Sequence, residues 1–98
     1  MDQQADIQDQ STAELRTKRI RRLVYQASYT GMKETDLLLG HFAKHHLADL
    51  TDQELGDFER LLDAGDDRIY AWIMGNDSLP AEHDTRVFAL IKEFKTIQ

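Results

Sequence analysis

The sequence predicts an all-α fold, a compact antiparallel bundle of about five short helices. Apolar residues recur at the three- and four-residue spacing of one helix face, and isolated glycines and a single proline interrupt this pattern. No segment alternates apolar and polar residues for long enough to indicate a strand. Short helices joined by loops of a few residues favour antiparallel neighbours in a bundle.

The first twelve residues are predicted to form a flexible polar tail in front of a single five-helix domain over residues 13–98. This segment contains four glutamines, and Ile7 is the one sizeable apolar side chain after Met1. Such a segment buries too little apolar surface to offset the entropy that ordering costs.

The helix boundaries are predicted from caps and turn residues. The first helix begins at a capping box, Ser11–Glu14, and stops at Gly31, because glycine adopts the left-handed conformation at a helix end without steric cost. The second helix runs from about Lys33 to His46. A second capping box, Thr51–Glu54, opens the third helix.

The fourth helix is short and is predicted to lie between two breaks at Gly65 and Gly75. Pro80 is predicted to occupy the first turn of the last helix, where its missing N–H is not needed. The predicted apolar stripes of the five helices are, in order, Ile20, Leu23, Val24 and Ala27; Thr35, Leu38, Leu39, Phe42 and His46; Leu55, Phe58, Leu61 and Leu62; Ile69, Trp72 and Ile73; Val87, Leu90, Ile91 and Phe94.

Composition excludes several classes of protein. The chain has 98 residues, a formal net charge of -6 and no cysteine. The length predicts one domain, and the absence of cysteine excludes a disulfide framework and any Cys-ligated zinc or iron–sulfur site. No apolar run approaches the roughly 20 residues that a membrane helix needs. The acidic, polar N-terminus lacks the features of a signal or transit peptide, so we expect a bacterial cytoplasmic protein rather than one of the mitochondrial matrix.

Five of the twelve basic residues lie within residues 16–22, on a chain that is otherwise acidic. One interpretation is a solvent-exposed face paired with the acidic stretch of residues 49–59, since surface ion pairs are common and weak. A second is a contact with a protein that carries an acidic patch. A third is a nucleic-acid footprint, which the acidic remainder of the domain disfavours.

Other candidate sites have ordinary structural explanations. His41 and His45 have the four-residue spacing of two metal ligands, but the glutamate that a metalloprotease helix places after the first histidine is missing. Partly exposed histidines near a helix end are the alternative. Trp72 is predicted to belong to the core, and the five glycines are predicted to be isolated turn positions rather than a phosphate loop.

Glu34 and Asp36 open the second helix, where negative charge is favoured. Glu34 is predicted to cap Gly31 by reaching back to its N–H. A hydrolase with paired carboxylates would need a cleft, for which a bundle of this size has little room. The residues therefore present no catalytic set and no cofactor motif, and they indicate a small helical protein that binds another macromolecule. A metal-dependent hydrolase that uses His41, His45 and a carboxylate is a rival interpretation.

Several stretches resemble the SdhE family, also called succinate dehydrogenase assembly factor 2 or FAD assembly factor. The resemblance extends over about residues 15–95. The stretches that carry it are Arg22–Tyr25, Gly31–Asp36, Leu37–Ala43, Leu50–Leu55, Phe58–Asp63 and Tyr70–Ile73.

The resemblance implies a five-helix assembly factor that is not an enzyme. It implies binding to the flavoprotein subunit of succinate dehydrogenase, and in bacteria also to that of fumarate reductase, and promotion of covalent FAD attachment to that client. We further expect a monomer with no stably bound cofactor, no metal, and no nucleic-acid or membrane partner.

The family's glycine, glutamate and aspartate match Gly31, Glu34 and Asp36, and Met32 also occurs in relatives. The resemblance therefore implies that these four residues contact the client. In one respect the sequence differs from the family, because Thr30 stands where the family has an arginine. A threonine cannot form the bidentate contact of an arginine. We expect Thr30, Arg19 and Arg22 to border the client-binding surface. Either the arginine contact is absent, or a cation of residues 16–22 replaces it, or the client differs.

Overall fold

The computed structural model describes the backbone of residues 2–97 and the side chains of residues 12–95. Two single turns of 3-10 helix, Leu47–Asp49 and Ala81–His83, supplement five α-helices, and residues 2–97 contain no strand. The predicted all-α bundle is confirmed. The helices are α1 (Asp2–Ser28), α2 (Lys33–His46), α3 (Asp52–Asp63), α4 (Asp66–Met74) and α5 (Arg86–Ile97).

Helix α1 begins earlier than predicted. Its backbone is helical from Asp2, so the Ser11–Glu14 segment lies inside the helix and does not start it. Once a helix exists, each added residue costs little, and the alanine and glutamines of this segment are adequate helix formers. The flexibility of residues 1–12 and the domain boundary at residue 13 stay predictions.

The start of α3 confirms a predicted capping box. The Thr51 hydroxyl accepts a hydrogen bond from the Glu54 N–H at 3.1 Å, and the Glu54 carboxylate accepts one from the Thr51 N–H at 3.0 Å. The start of α5 differs from the prediction. Pro80 precedes the 3-10 turn Ala81–His83 and adopts an extended conformation, and α5 begins at Arg86. Proline fits either place, because both require only its restricted φ angle and no N–H donor.

The glycines fall into two groups, which corrects the prediction that all five are turn positions. Gly31, Gly65 and Gly75 have positive φ angles in turns, whereas Gly40 and Gly56 lie within α2 and α3. A Cβ atom at Gly40 would stand 2.7 Å from the hydroxyl of Ser28, at the end of α1. Gly40 therefore lets α1 and α2 approach closely.

The core has Phe42 of α2 near its centre. The Phe42 ring lies 5.9 Å from the ring of Phe58 and 5.8 Å from that of Phe94, which it meets edge on. His46 stacks on Phe42 at 5.1 Å. Helices α2, α3 and α5 thus share one aromatic cluster, and the predicted apolar stripes are confirmed as buried or partly buried.

The 3-10 turn between α2 and α3 also contributes to the core through Leu47 and Leu50, which the helix-based stripes did not include. Trp72 is 7% exposed and is confirmed as a core residue. Across the described part of the chain, no helix is both long enough and apolar enough to cross a membrane.

Candidate functional site

The turn between α1 and α2 is held closed by Asp36. Its Oδ1 atom accepts a hydrogen bond from the Thr30 N–H at 2.6 Å and another from the Thr30 hydroxyl at 2.5 Å. Gly31 follows with a φ angle of 123°, and Met32 is the extended residue that precedes α2. Residues 30–36 therefore form a turn of defined shape, called here the Thr30–Asp36 turn.

The predicted cap of Gly31 by Glu34 is wrong. Met32 is the N-cap residue, which makes Glu34 the second residue of α2, one position short of the place from which a capping-box glutamate reaches back. Glu34 is exposed and has no hydrogen bond or ion pair to the described residues. Asp36, two residues further along, reaches back to Thr30 instead.

Gly31 lies against the start of α4. A Cβ atom added to Gly31 would stand 2.9 Å from Oδ2 of Asp66, and the positive φ angle would strain any other residue at this position. The Thr30–Asp36 turn is thus positioned by α4 as well as by its own hydrogen bonds. It leaves Gly31 and Glu34 exposed, with Met32 half-buried between them.

Two exposed hydrophobic surfaces border this turn, and sequence reasoning assigned neither of them to a functional site. On α1, the exposed Tyr25 and Tyr29 have ring centroids 4.7 Å apart. On the other side, Leu37 of α2 is 51% exposed and Met74 of α4 is 46% exposed. The sequence offered one clue to these surfaces: Leu37 is a large apolar residue that lies outside the apolar stripe of its helix.

The basic stretch of α1 pairs mainly with α3. Arg16 lies 2.5 Å from Asp52, and Arg19 and Arg22 lie 3.4 Å and 3.3 Å from the two carboxylate oxygens of Glu59. The predicted pairing with the acidic stretch is therefore confirmed for Asp52 and Glu59.

Two other acids of that stretch are engaged differently. Glu54 pairs with Arg86 at 2.6 Å, and Asp57 pairs with Arg60 of its own helix. Lys18 and Arg21 are exposed, with no ion pair to the described residues. The interpretations that use the basic stretch to bind an acidic protein or a nucleic acid thus rest on these two cations and on the exposed part of Arg22.

The histidines do not form a metal site within the described residues. No group of three His, Cys, Asp or Glu side chains there could hold a metal ion, so His41 and His45 have no third ligand. His41 and His45 are exposed near the end of α2, whereas His83 has a different environment. It is buried, and its ring lies 5.1 Å from that of Trp72 because the 3-10 turn after Pro80 folds it inward.

Comparisons with known proteins point to one family. A family model described as "Flavinator of succinate dehydrogenase" matches residues 21–95. The chain is 46% identical over 69 residues to "Succinate dehydrogenase assembly factor 2, mitochondrial" of Mycosarcoma maydis, which covers 70% of this chain and 29% of that protein. Proteins of the same name from Meyerozyma guilliermondii and Dictyostelium discoideum are 46% and 39% identical, covering 66% and 74% of this chain and 48% and 51% of theirs.

The chain spans about half or less of the length of these relatives. The names of these relatives describe them as mitochondrial, which overturns the expectation of a bacterial cytoplasmic protein. That expectation depended on the absence of a leader-like sequence, and composition near the N-terminus of these 98 residues was too indirect a guide to compartment.

The family match includes the whole Thr30–Asp36 turn and helices α2, α3 and α4. It therefore contains the stretches on which the resemblance was first based, from Arg22–Tyr25 to Tyr70–Ile73. The sequence resemblance and the family match agree. The chain belongs to the family of succinate dehydrogenase assembly factor 2, whose family model is described as the flavinator of succinate dehydrogenase.

Proposed function

We propose that this protein binds the flavoprotein subunit of succinate dehydrogenase and promotes the covalent attachment of FAD to that subunit. Family membership supports this function. The structural observation that carries it is the Thr30–Asp36 turn, which is held in one shape and leaves the Glu34 carboxylate exposed and unpaired among the described residues. The related flavoprotein of fumarate reductase, which the resemblance implies as a client of bacterial members, is a second proposed client.

In this proposal, Gly31, Met32 and Glu34 form the contact with the client. Gly31 holds the turn at a positive φ angle and is itself exposed, so a client can contact its backbone directly. Met32 adds an adaptable apolar contact, and Glu34 supplies a charged hydrogen-bond acceptor. Thr30 and Asp36 border the contact and fix its shape through their mutual hydrogen bonds.

Arg19 and Arg22 contribute from the flank of this surface. Both are paired with Glu59, although the Arg22 side chain remains 56% exposed. Thr30 donates two hydrogen bonds to Asp36, one from its N–H and one from its hydroxyl, and an arginine at this position would have no hydroxyl for the second. Of these two arginines Arg22 is the more exposed, so a contact of this pair with the client would come from Arg22, at the expense of its pair with Glu59.

The contribution to the reaction is positioning, and the protein is not itself an enzyme. By holding the client's domains together, an assembly factor places the reacting groups of the client near each other and lowers the entropic part of the barrier. This role needs no cofactor, no metal ion and no catalytic residue on the assembly factor. The protein acts as a monomer on a client protein, without a nucleic-acid or membrane partner.

The test is a flavinylation assay in cells that lack their own assembly factor. We expect Glu34→Ala to lower the covalent flavin on the client by about tenfold or more, because a charge-assisted contact contributes roughly 1.5–3 kcal/mol. The readout is flavin fluorescence of the denatured client. Glu14→Ala, an exposed position on α1 outside the family match, is the control. Undiminished flavin with Glu34→Ala would remove Glu34 from the contact.

A salt titration with DNA separates this function from nucleic-acid binding through the basic helix. A nucleic-acid binder would shift a DNA fragment at low salt and lose affinity steeply as salt rises. We expect no shift, because three of the five cations of α1 are already paired with α3. A salt-sensitive shift abolished by Lys18→Ala and Arg21→Ala together would favour the alternative.

A further inference from the structure

Helices α2 and α4 border an open groove of about 340 Å³, called here the α2–α4 groove. It lies beside the Thr30–Asp36 turn, since Glu34 belongs to both. Its apolar lining consists of Leu37, Leu38, Tyr70, Ile73 and Met74. An apolar groove bordered by a few charged groups is the usual form of a site that receives side chains from a partner.

Two features distinguish the groove from an ordinary gap between helices. Leu37 and Met74 are about half exposed to solvent, although both α2 and α4 also have a buried apolar face. One wall contains Thr35, which is 1% exposed and whose hydroxyl has no hydrogen-bond partner among the described residues. Buried hydroxyls without a partner are uncommon, so this wall contains an unusual unsatisfied polar atom beneath its surface.

The two charged residues of the groove lie toward opposite ends of α4. Glu34 contributes a negative charge beside the turn that meets Asp66 at the start of α4. Lys95 of α5 contributes a positive charge beside Met74 at the end of α4. The Lys95 ammonium lies 3.1 Å from the sulfur of Met74, and neither Glu34 nor Lys95 has an ion pair to the described residues. An α-helix carries partial positive charge at its N-terminus and partial negative charge at its C-terminus, so a bound helix would complement both ends.

We propose that the α2–α4 groove receives an amphipathic helix of the flavoprotein subunit. The helix inserts its apolar side chains between Leu37 and Met74, with its N-terminal end toward Glu34 and its C-terminal end toward Lys95. This inference rests on the proposed function, because it names the same partner. It adds a second, apolar contact, and Glu34 joins that contact to the Thr30–Asp36 turn.

The test measures the affinity of the whole chain for the isolated flavoprotein subunit, for example by biolayer interferometry. We expect Leu37→Glu and Met74→Glu each to weaken binding by tenfold or more, since a charge would enter the apolar contact. Both side chains are already half-exposed, and circular dichroism will check that each variant folds. Leu15→Glu is the matched control, because Leu15 is 67% exposed on α1 outside the groove, and we expect less than a twofold change.

Lys95→Glu tests the direction of the helix. We expect a weakening of several-fold that shrinks as salt rises, because the reversed charge would face the negative end of the bound helix. Unchanged affinity in this variant at low salt would overturn the assigned direction.

The remaining outcomes separate this inference from the proposed function. If the wild-type chain binds the subunit and Glu34→Ala weakens binding, but Leu37→Glu and Met74→Glu do not, the groove is not a contact and the proposed function stands. If the wild-type chain does not bind the subunit, both are overturned. Self-association of the wild-type chain that Leu37→Glu abolishes would show that a second copy, not the client, occupies the groove.

Discussion

At the scale of single residues, Asp36 and Glu34 have different roles in the Thr30–Asp36 turn. Asp36 is half-buried and accepts both hydrogen bonds that Thr30 offers, while Glu34 is exposed and accepts none from the described residues. Their positions in α2 explain the division, because side chains two residues apart lie on different sides of a helix. One carboxylate therefore shapes the turn, and the other is free to meet a partner.

This division predicts different effects on stability. Asp36→Ala removes the acceptor for the Thr30 N–H and hydroxyl, so we expect the free energy of unfolding to fall by about 1–3 kcal/mol. Glu34→Ala removes no contact to the described residues, and we expect a change within about 0.5 kcal/mol. Urea denaturation followed by circular dichroism measures both. Equal stabilities of the two variants would contradict the structural role of Asp36.

At the scale of the element, the start of α3 connects three parts of the chain. Glu54 closes the capping box with Thr51 and also accepts a hydrogen bond from Arg86, the first residue of α5, at 2.6 Å. The Thr51 N–H and then the Arg86 guanidinium lower the pKa of Glu54 below its ordinary value of 4.5. One side chain thus caps α3 and joins it to α5.

The lowered pKa predicts a pH dependence of stability. Because the folded protein holds the Glu54 proton less tightly than the unfolded chain, the unfolded chain binds more protons in acid. The stabilising contribution is complete above pH 4.5 and is lost as the pH falls through the lower pKa of the folded state. Thermal denaturation between pH 6 and pH 3 will measure this loss. We expect Glu54→Gln to show a shallower decline in acid, and an identical decline would contradict the assignment.

At the scale of the whole molecule, the aromatic cluster around Phe42 holds α2, α3 and α5 together. Helix α1 joins this assembly through the close approach of Ser28 to Gly40 and through ion pairs with α3. The Thr30–Asp36 turn and the α2–α4 groove depend on this packing, because both are built from more than one helix.

Phe42→Ala tests how far the molecule depends on the cluster. The side chain is fully buried, so we expect unfolding free energy to fall by about 3–5 kcal/mol, a large part of the 5–15 kcal/mol typical of a domain. The measurement is guanidinium denaturation, with Phe42→Leu as a milder variant that keeps part of the volume. A loss below 1 kcal/mol for Phe42→Ala would contradict the central place of this ring.

Much of the fold was predictable because it depends on local rules. The spacing of apolar residues such as Leu55, Phe58 and Leu61 reports which face of a helix is buried, and Thr51 with Glu54 reports where α3 begins. The start of α1 was not predictable in this way, because a capping pattern at Ser11 does not stop a helix that already runs from Asp2. The placement of Pro80 before a 3-10 turn is a similar local ambiguity.

The sequence by itself determined the helical class, the buried faces and, through residues 22–73, the family. These features depend on residue type and on spacing along one helix, which are fully written in the chain. Tertiary structure alone decided that Asp36 rather than Glu34 closes the turn, that α3 neutralises Arg16, Arg19 and Arg22, and that Leu37 and Met74 line one groove. Pairing between helices depends on how they pack in three dimensions, and no spacing along a single helix records it.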